Sequence, residues 1–321
     1  MKQMIYSLLI LSCNSGHAQK SAQTEIPHKR AHHQVFYHDA NKAVMMTGGS
    51  TPLDGGNTFK FFNDLWSFNG KEWKMTGSAG DERSGIAIAY DTRRNKLFSY
   101  GGFTAGNKSH AELRTLVNGN WEIITDIPEM KAAEACLVYD SDRDKLIAFG
   151  GSPARGTINN ITWEWDGTAW KKVEGPGPEG RQAFVMVYDK KRKRTVLYGG
   201  MGSSPEERYT DTWEFDGALW TKIVKPGPGP RMSAGYAYDD KRGLLILFGG
   251  MGKDGFLNDT WSWDGNEWKK LSDTGPSKRA MGYMTYDKNR DRIVLFGGRL
   301  GWPNDTNDTW EWDGVQWIAV N

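Results

Sequence analysis

The chain has 321 residues, and its 41 basic side chains nearly balance its 39 acidic ones. This balance argues against a broad basic surface that would hold nucleic-acid phosphates, so we expect no nucleic-acid partner. Aromatic residues make up 12% of the chain, and the 15 Trp and 39 Gly suit many short strands joined by glycine turns.

The N-terminal segment has the pattern of a secretory signal peptide. Lys2 precedes an apolar run over residues 4–11, which is too short for a permanent membrane span. Gly16-His17-Ala18 resembles a cleavage site, whereas the run that ends at Cys13 resembles a bacterial lipobox. We predict a signal peptide over residues 1–18, or a lipoprotein signal that ends before Cys13, followed by a linker over 19–27. Either route exports the protein to the periplasm, the cell surface or the medium.

A unit of about fifty residues then recurs six times. In each unit a Gly-Gly pair closes an apolar run, and the pairs begin at Gly48, Gly101, Gly150, Gly199, Gly249 and Gly297. Repetition at this period is typical of architectures in which each unit buries its apolar face against its neighbours.

Each unit is predicted to contain four strands, A to D. Strand A follows an Arg and ends in Tyr-Asp, as over 83–91, and strand B is a continuous apolar run such as 244–248. A continuous run indicates burial on both faces. Strand C carries aromatic residues two apart, such as Trp163 and Trp165, and an Asp-Gly or Asn-Gly turn leads to strand D, which begins with Trp.

The Tyr-Asp, Gly-Gly, aromatic-Asp-Gly and final Trp elements together resemble kelch repeats over residues 28–321. The resemblance implies an all-β fold, a six-bladed β-propeller with four antiparallel strands per blade, of the type of the galactose oxidase central domain. The second unit departs from the pattern in "ELRTLVNGNW", so we expect blade 2 to be the most weakly packed.

The order of the strands places the B–C and D–A loops on one face of the disc and the A–B and C–D turns on the other. We call these the loop face and the turn face. The B–C loops differ strongly in sequence, as expected for a binding surface on a rigid scaffold. Phe59, Phe61, Phe62 and Trp302 are aromatic residues in these polar loops, and they either pack on their own loop or contact a ligand.

An Arg precedes strand A in five units, and the third unit has Ala132 instead. We predict that these side chains ring one mouth of the axial channel and bind carboxylates or sulfates. In some kelch propellers that this chain resembles, arginines at this position bind acidic peptides. The alternative is that each Arg pairs with a nearby Asp or carbonyl group and joins blades. The candidate ligand-binding residues are Trp302 and the five arginines Arg30, Arg83, Arg181, Arg231 and Arg279.

Two further polar residues, His32 and Glu134, stand two positions after the Arg site, where acid–base chemistry or a structural ion pair is possible. We predict a binding module for an acidic protein motif or an anionic glycan. One alternative is an enzyme on acidic sugars, since exported kelch propellers of similar size include sialic acid mutarotases. Its candidate catalytic groups are His32, Glu134, Glu206, Glu207 and Arg208. A structural spacer in a surface assembly is the third alternative.

The sequence gives no sign of a cofactor or metal site. A copper radical oxidase needs a Tyr–Cys crosslink and two His ligands. Removal of the signal peptide would leave Cys136 as the one cysteine, and four of the five remaining His lie close together in the first unit. This set of residues does not fit such an enzyme. No apolar stretch elsewhere in the sequence is long enough to cross a membrane either. We therefore expect a monomer without a membrane span, which could carry a lipid at Cys13.

Overall fold

The computed structural model describes residues 26–154, 156–204 and 206–320, which form a six-bladed β-propeller. Each blade is a four-stranded antiparallel sheet, as predicted. The predicted signal peptide, Cys13 and the linker up to residue 25 lie outside the described residues.

The strands are numbered in chain order. Blade 1 contains β1 (Gln34–His38), β2 (Ala43–Thr47), β5 (Asp64–Phe68) and β6 (Trp73–Ser78), and its B–C loop forms a hairpin of β3 (Ser50–Leu53) and β4 (Thr58–Phe61). Blade 2 contains β7 (Ala87–Asp91), β8 (Lys96–Tyr100), β11 (Glu112–Val117) and β12 (Asn120–Asp126), with the short hairpin β9 (Phe103–Thr104) and β10 (Lys108–Ser109). Blade 3 contains β13 (Cys136–Asp140), β14 (Lys145–Phe149), β15 (Thr162–Trp165) and β16 (Trp170–Lys172).

Blade 4 contains β17 (Val185–Asp189), β18 (Arg194–Tyr198), β19 (Thr212–Phe215) and β20 (Trp220–Ile223). Blade 5 contains β21 (Gly235–Asp239), β22 (Leu244–Gly252), β23 (Gly255–Trp263) and β24 (Trp268–Ser272). Blade 6 contains β25 (Tyr283–Asp287), β26 (Arg292–Gly301), β27 (Asn304–Trp312) and β28 (Trp317–Val320). Three single 3-10 turns cover Asp54–Gly56, Ala105–Asn107 and Pro128–Met130. Within the described ranges, no helix has the length and apolar character needed to span a membrane.

The innermost strands of the six blades surround the propeller axis. Each contacts its two neighbours, and β1 of blade 1 contacts β25 of blade 6. The four strands of every blade come from one continuous stretch of the described chain, so the ring closes without exchange of a strand between the first and last blades. Closure therefore depends on noncovalent contacts between blades 1 and 6.

Two predicted boundaries differ from the structure. Strand A of blade 2 begins at Ala87 rather than Arg83, because Gly85 adopts a φ of +61° and interrupts the extended backbone. In blades 5 and 6 strand B continues past the Gly-Gly pair, since the B–C loop is a tight hairpin that prolongs the ladder. The continuous apolar strands are buried on both faces, as expected; β18 is an example.

The Trp that begins strand D joins neighbouring blades. Its indole Nε1 donates a hydrogen bond to a Thr Oγ1 of the preceding blade at 2.8–2.9 Å, in the pairs Trp220–Thr162, Trp268–Thr212, Trp317–Thr260 and Trp73–Thr309. Leu65 and Leu113 occupy the Thr position ahead of blades 2 and 3. Trp121 of blade 2 is half-buried while its five counterparts are buried, which agrees with the expected weaker packing of that blade.

The Gly-Gly pairs make the second regular contact between blades. The amide N–H of the second glycine donates to the carbonyl oxygen of the residue at the Arg position in the next blade, as from Gly49 to Arg83 at 2.9 Å. The same bond runs from Gly298 of blade 6 to Arg30 of blade 1 at 2.9 Å. A Cβ at Gly48 would lie 2.8 Å from the Arg83 carbonyl oxygen, so this approach requires glycine.

Candidate functional site

A closed ring of six backbone hydrogen bonds surrounds the axis near the loop face. Each blade contributes the residue two positions after the Arg site, and its N–H donates to the carbonyl oxygen of the equivalent residue in the preceding blade at 2.7–3.4 Å. All six residues have a positive φ; they are His32, Gly85, Glu134, Ala183, Ser233 and Met281. The two polar positions selected from the sequence therefore belong to the ring that closes the axis.

The side chains of His32 and Glu134 meet on this ring and form what we call the axial pair. His32 Nδ1 lies 3.1 Å from Glu134 Oε1, and both side chains are largely buried. Gly85 of blade 2 lies between them in the ring, and its missing side chain makes room chiefly for the Phe103 ring, since a Cβ there would lie 2.8 Å from Phe103 Cε1 and 3.4 Å from Glu134 Cγ. Burial opposes ionisation of Glu134, but the hydrogen bond and the charge of His32 outweigh it and lower the pKa of Glu134.

The five arginines run along their own blades toward strand C, and they are buried rather than free at the channel mouth. Each Nη1 donates to the carbonyl oxygen of the first glycine of its own Gly-Gly pair, at 3.0–3.1 Å. Each also pairs with an acid near the start of strand C, at 2.5–2.8 Å, in Arg30–Asp64, Arg83–Glu112, Arg181–Asp211, Arg231–Asp259 and Arg279–Asp308.

These pairs explain why the third unit lacks the Arg. Where the other blades have an acid, blade 3 has Ile161, and where they have Arg it has Ala132. The cation and its acid are absent together, as expected if they compensate each other in a buried position. A role of the arginines in ligand binding stays a prediction, and it would require a ligand to replace an internal carboxylate.

Blade 2 holds the densest group of charges on the loop face. Arg83 Nε lies 2.5 Å from Asp81, and Asp81 also accepts a hydrogen bond of 2.5 Å from Arg114. His110 Nδ1 lies 3.3 Å from Glu112. Burial would raise the pKa of Glu112, but the neighbouring Arg83 outweighs it and lowers this pKa to about 2. Arg114 stands where the other strands C have Trp, and this departure is the signal in the sequence for the cluster, which was not predicted.

An arc of aromatic rings crosses the loop face over blades 6, 1 and 2. We define the aromatic arc as Trp302, Phe59, Phe61 and Phe103. The ring centroids of Phe59 and Trp302 are 5.8 Å apart, and those of Phe61 and Phe103 are 6.0 Å apart. Phe59 and Phe61 lie two positions apart on β4 and so share a face. The Phe103 ring is 6.1 Å from that of His32, which links the arc to the axial pair.

The outer end of the arc is exposed and held in place. Trp302 is 57% exposed and Phe59 is 42% exposed. A Cβ at Gly56 would come within 2.7 Å of the Trp302 indole, so the ring lies directly on this glycine. The Arg299 guanidinium packs 4.9 Å from the indole centroid, and Asp305 holds that guanidinium at 2.8 Å. The aromatic residues of the loops therefore fall into two groups. Phe62 is buried beneath Arg30, whereas Phe59 and Trp302 face solvent.

The structure does not place the group in the fourth B–C loop beside the axial pair. Glu207 accepts hydrogen bonds from the Ser203 amide and the Tyr209 hydroxyl, both at 2.9 Å, and these lower its pKa. Arg208 donates to the Gly252 carbonyl oxygen at 2.9 Å, and Glu206 is exposed. The Glu207 bonds lie within the loop of blade 4, and the Arg208 bond connects this loop with blade 5; a catalytic role for the three residues stays a prediction.

In the part of the chain that the structure describes, no group of three or more His, Cys, Asp or Glu side chains could hold a metal ion. Comparisons of the chain with protein-family models and with curated proteins returned no match. The function is therefore argued from the fold and from the geometry of the loop face.

Proposed function

We propose that the protein is an exported, kelch-type binding module that holds an acidic glycan on its loop face. The observation that carries the proposal is the pair of touching, exposed rings of Phe59 and Trp302, fixed on the rigid propeller. Exposed aromatic groups of this kind are uncommon on a surface that binds nothing.

The fixed indole suits a sugar ring. Because Trp302 packs against Gly56 and Arg299, it loses little conformational freedom when a ligand covers it, and the entropic cost of binding is small. The C–H groups of a sugar face carry partial positive charge and meet the negative face of an aromatic ring favourably. The arc offers several such faces in sequence, which favours an oligosaccharide over a single sugar.

Two exposed lysines near Phe62, which follows Phe61 of the arc in the chain, supply the contacts for acidic groups; Lys60 lies on the face of β4 opposite Phe59 and Phe61, with its Nζ 5.4 Å from the Phe62 centroid. Lys60 follows Phe59 on β4, and Lys29 lies in the segment that reaches Phe62 through His28, whose ring is 5.4 Å from the phenylalanine ring. Both lysine side chains are exposed. They can bind a carboxylate or sulfate without breaking an internal pair, whereas the five buried arginines cannot.

The test is titration of the purified protein with uronic- and sialic-acid oligosaccharides, followed by calorimetry. Trp302→Ala and Phe59→Ala should each weaken binding about tenfold or more, as truncation of a central aromatic contact does. Lys60→Gln should reduce the preference for acidic over neutral oligosaccharides. Leu219→Ala, at an exposed site of a C–D turn, is the matched control and should change nothing. Equal affinity of wild type and Trp302→Ala for every oligosaccharide would refute the proposal.

The acidic-sugar enzyme remains a second candidate because of the His32–Glu134 pair, which places a carboxylate and an imidazole 3.1 Å apart at the inner end of the arc. Exchange between the anomers of sialic acid, followed by NMR, tests it. An enhanced rate that Glu134→Gln removes would support the enzyme, and a rate equal to that in buffer alone would exclude it. A spacer would bind no oligosaccharide in either assay.

A further inference from the structure

The axis of the propeller opens on the turn face, opposite the aromatic arc. A cavity of about 260 Å³ lies between the innermost strands of all six blades. Its rim carries the exposed residues Thr92, Lys190, Asp240 and Lys288, which directly follow the ends of strands A. Toward the loop face only about 30 Å³ of space remains before the ring of backbone hydrogen bonds. The cavity is therefore open at one end and closed at the other.

Six tyrosines, the Tyr of every Tyr-Asp motif, line the open half: Tyr37, Tyr90, Tyr139, Tyr188, Tyr238 and Tyr286. Acids of the A–B turns and strand ends accept the hydroxyl protons of several of them, as Asp142 does from Tyr188 at 2.8 Å and Asp189 from Tyr238 at 2.6 Å. The hydroxyls of all but Tyr37 are thus engaged in hydrogen bonds to turn or strand-end residues, and the tyrosines offer the cavity their rings.

The inner end of the cavity is lined by polar, uncharged side chains, and the Glu134 carboxylate, paired with His32, lies in the narrower space beyond them. Tyr283, Tyr236 and Gln34 lie there, and Thr285 lines the wall. Tyr236 contacts Cys136 at 3.4 Å, and the Gln34 amide donates to the Ile86 carbonyl oxygen at 2.7 Å. Within the described residues, the hydroxyl of Tyr283 makes no hydrogen bond to protein. Burial raises the pKa of this hydroxyl, which therefore stays protonated and can donate to a ligand.

Charges are confined to the rim, where they are neutralised in pairs. Lys190 lies 2.9 Å from Asp240, and Lys288 pairs with Asp39. The other residues that line the cavity carry no charge at neutral pH. A charged ligand would lose its hydration below the rim without gaining a counter-charge, which is strongly unfavourable.

We propose that this axial cavity is a second binding site, which takes a neutral small molecule with an apolar ring and one hydroxyl or amide group. The tyrosine rings and the aliphatic walls cover the apolar body, and the Tyr283 hydroxyl binds the polar group. The volume exceeds the roughly 150 Å³ of a cavity that holds benzene, and it is near the lower end of ordinary ligand sites, so a singly substituted ring fits.

The test uses benzyl alcohol and benzamide as neutral probes, with benzoate and benzylammonium as charged analogues of the same size, in ligand-observed NMR titrations. The neutral probes should bind at least tenfold more tightly than the charged ones. Tyr283→Phe, which removes one hydroxyl, should weaken binding of benzyl alcohol about fivefold. Tyr198→Phe is the matched control, because its hydroxyl donates to the Gly229 carbonyl oxygen away from the cavity, and it should bind normally.

Thr285→Phe adds a ring to the wall of the axial cavity and should abolish binding of the neutral probes. The melting temperature of this variant is the control that shows whether it is folded. Failure of all neutral probes to bind, or equal binding of neutral and charged probes, overturns the proposal. So does binding that persists in folded Thr285→Phe. Trp302→Ala lies on the opposite face and should leave the axial cavity unchanged, so the two proposed sites succeed or fail separately.

Discussion

His32 Nδ1 and Glu134 Oε1 lie 3.1 Å apart although they belong to blades 1 and 3. The contact passes over Gly85 of blade 2, the one residue of the six-membered backbone ring that has no side chain. The missing side chain makes room for the Phe103 ring, whose centroid is 6.1 Å from that of His32, so blade 2 forms part of the surroundings of a contact between its two neighbours.

The first prediction concerns this glycine. Gly85→Ala should lower the free energy of unfolding by about 1–3 kcal/mol, because φ is +61° and the new Cβ would lie 2.8 Å from Phe103 Cε1. Ala183→Gly, at the equivalent position with a φ of +55°, should leave stability unchanged or raise it by up to about 1 kcal/mol. Urea unfolding measures both. Equal destabilisation by the two changes would contradict the argument from backbone strain.

The second prediction separates the two roles of the buried arginines. Arg181→Ala leaves the half-buried Asp211 without its closest cation, with Lys222 3.6 Å away, and should cost about 3 kcal/mol, the lower end of the range for a buried pair. The double variant Arg181→Ala/Asp211→Ile reproduces Ala132 and Ile161 of blade 3, and should be at least about 2 kcal/mol more stable than the single variant. Denaturant unfolding decides the matter. If Arg181→Ala is stable but loses an anionic ligand, the arginines bind ligands rather than join the blade.

The third prediction is a loss of stability in mild acid. His33 is buried between Tyr283 and Phe296, and neither ring nitrogen has a hydrogen-bond partner in the described structure. Burial, together with the charge of Arg30, lowers its pKa well below the usual 6.5. Below pH 6.5 the His33 imidazole binds a proton in the unfolded chain but stays neutral in the folded chain. As the pH is lowered below 6.5, the free energy of unfolding should therefore decrease, by up to about 1.4 kcal/mol per pH unit.

Urea unfolding at pH 7.5 and 5.5 tests this prediction. His33→Phe, which places the residue found at the same position in blade 4 as Phe184, should flatten the dependence over this range. His28→Gln changes an exposed histidine and serves as the control. An unchanged slope in His33→Phe would show that another group titrates.

The fourth prediction concerns closure of the ring. Thr309→Val removes the acceptor of the Trp73 indole at the interface between the last and first blades, and should cost about 1–3 kcal/mol. Thr212→Val makes the same change between blades 4 and 5. Because no chain connection crosses the closing interface, only Thr309→Val should accelerate amide exchange selectively in blades 1 and 6. Identical exchange patterns in the two variants would show that closure is not a weak point.

The repeat pattern was enough to predict the blades. A continuous apolar run predicts a strand that is buried on both faces. The Gly-Gly pair indicates a position where two backbones approach closely. Strand type and register can therefore be predicted from residues that are near one another in the chain. The division into a loop face and a turn face follows from strand order alone. The sequence also contained the sign of the Arg–acid pairs, since Ala132 and Ile161 depart from the pattern in the same unit.

The destination of each loop side chain could not be derived in this way. The arginines were expected at the channel mouth, but they reach acids about thirty residues away along the same blade. The aromatic arc joins loops of blades 6, 1 and 2, and the axial cavity exists only because six inner strands meet. Periodicity along the chain therefore determined the blades and their order, because these depend on neighbouring residues. The contacts that form the two proposed sites were decided by closure of the ring, which brings together residues that no local pattern relates.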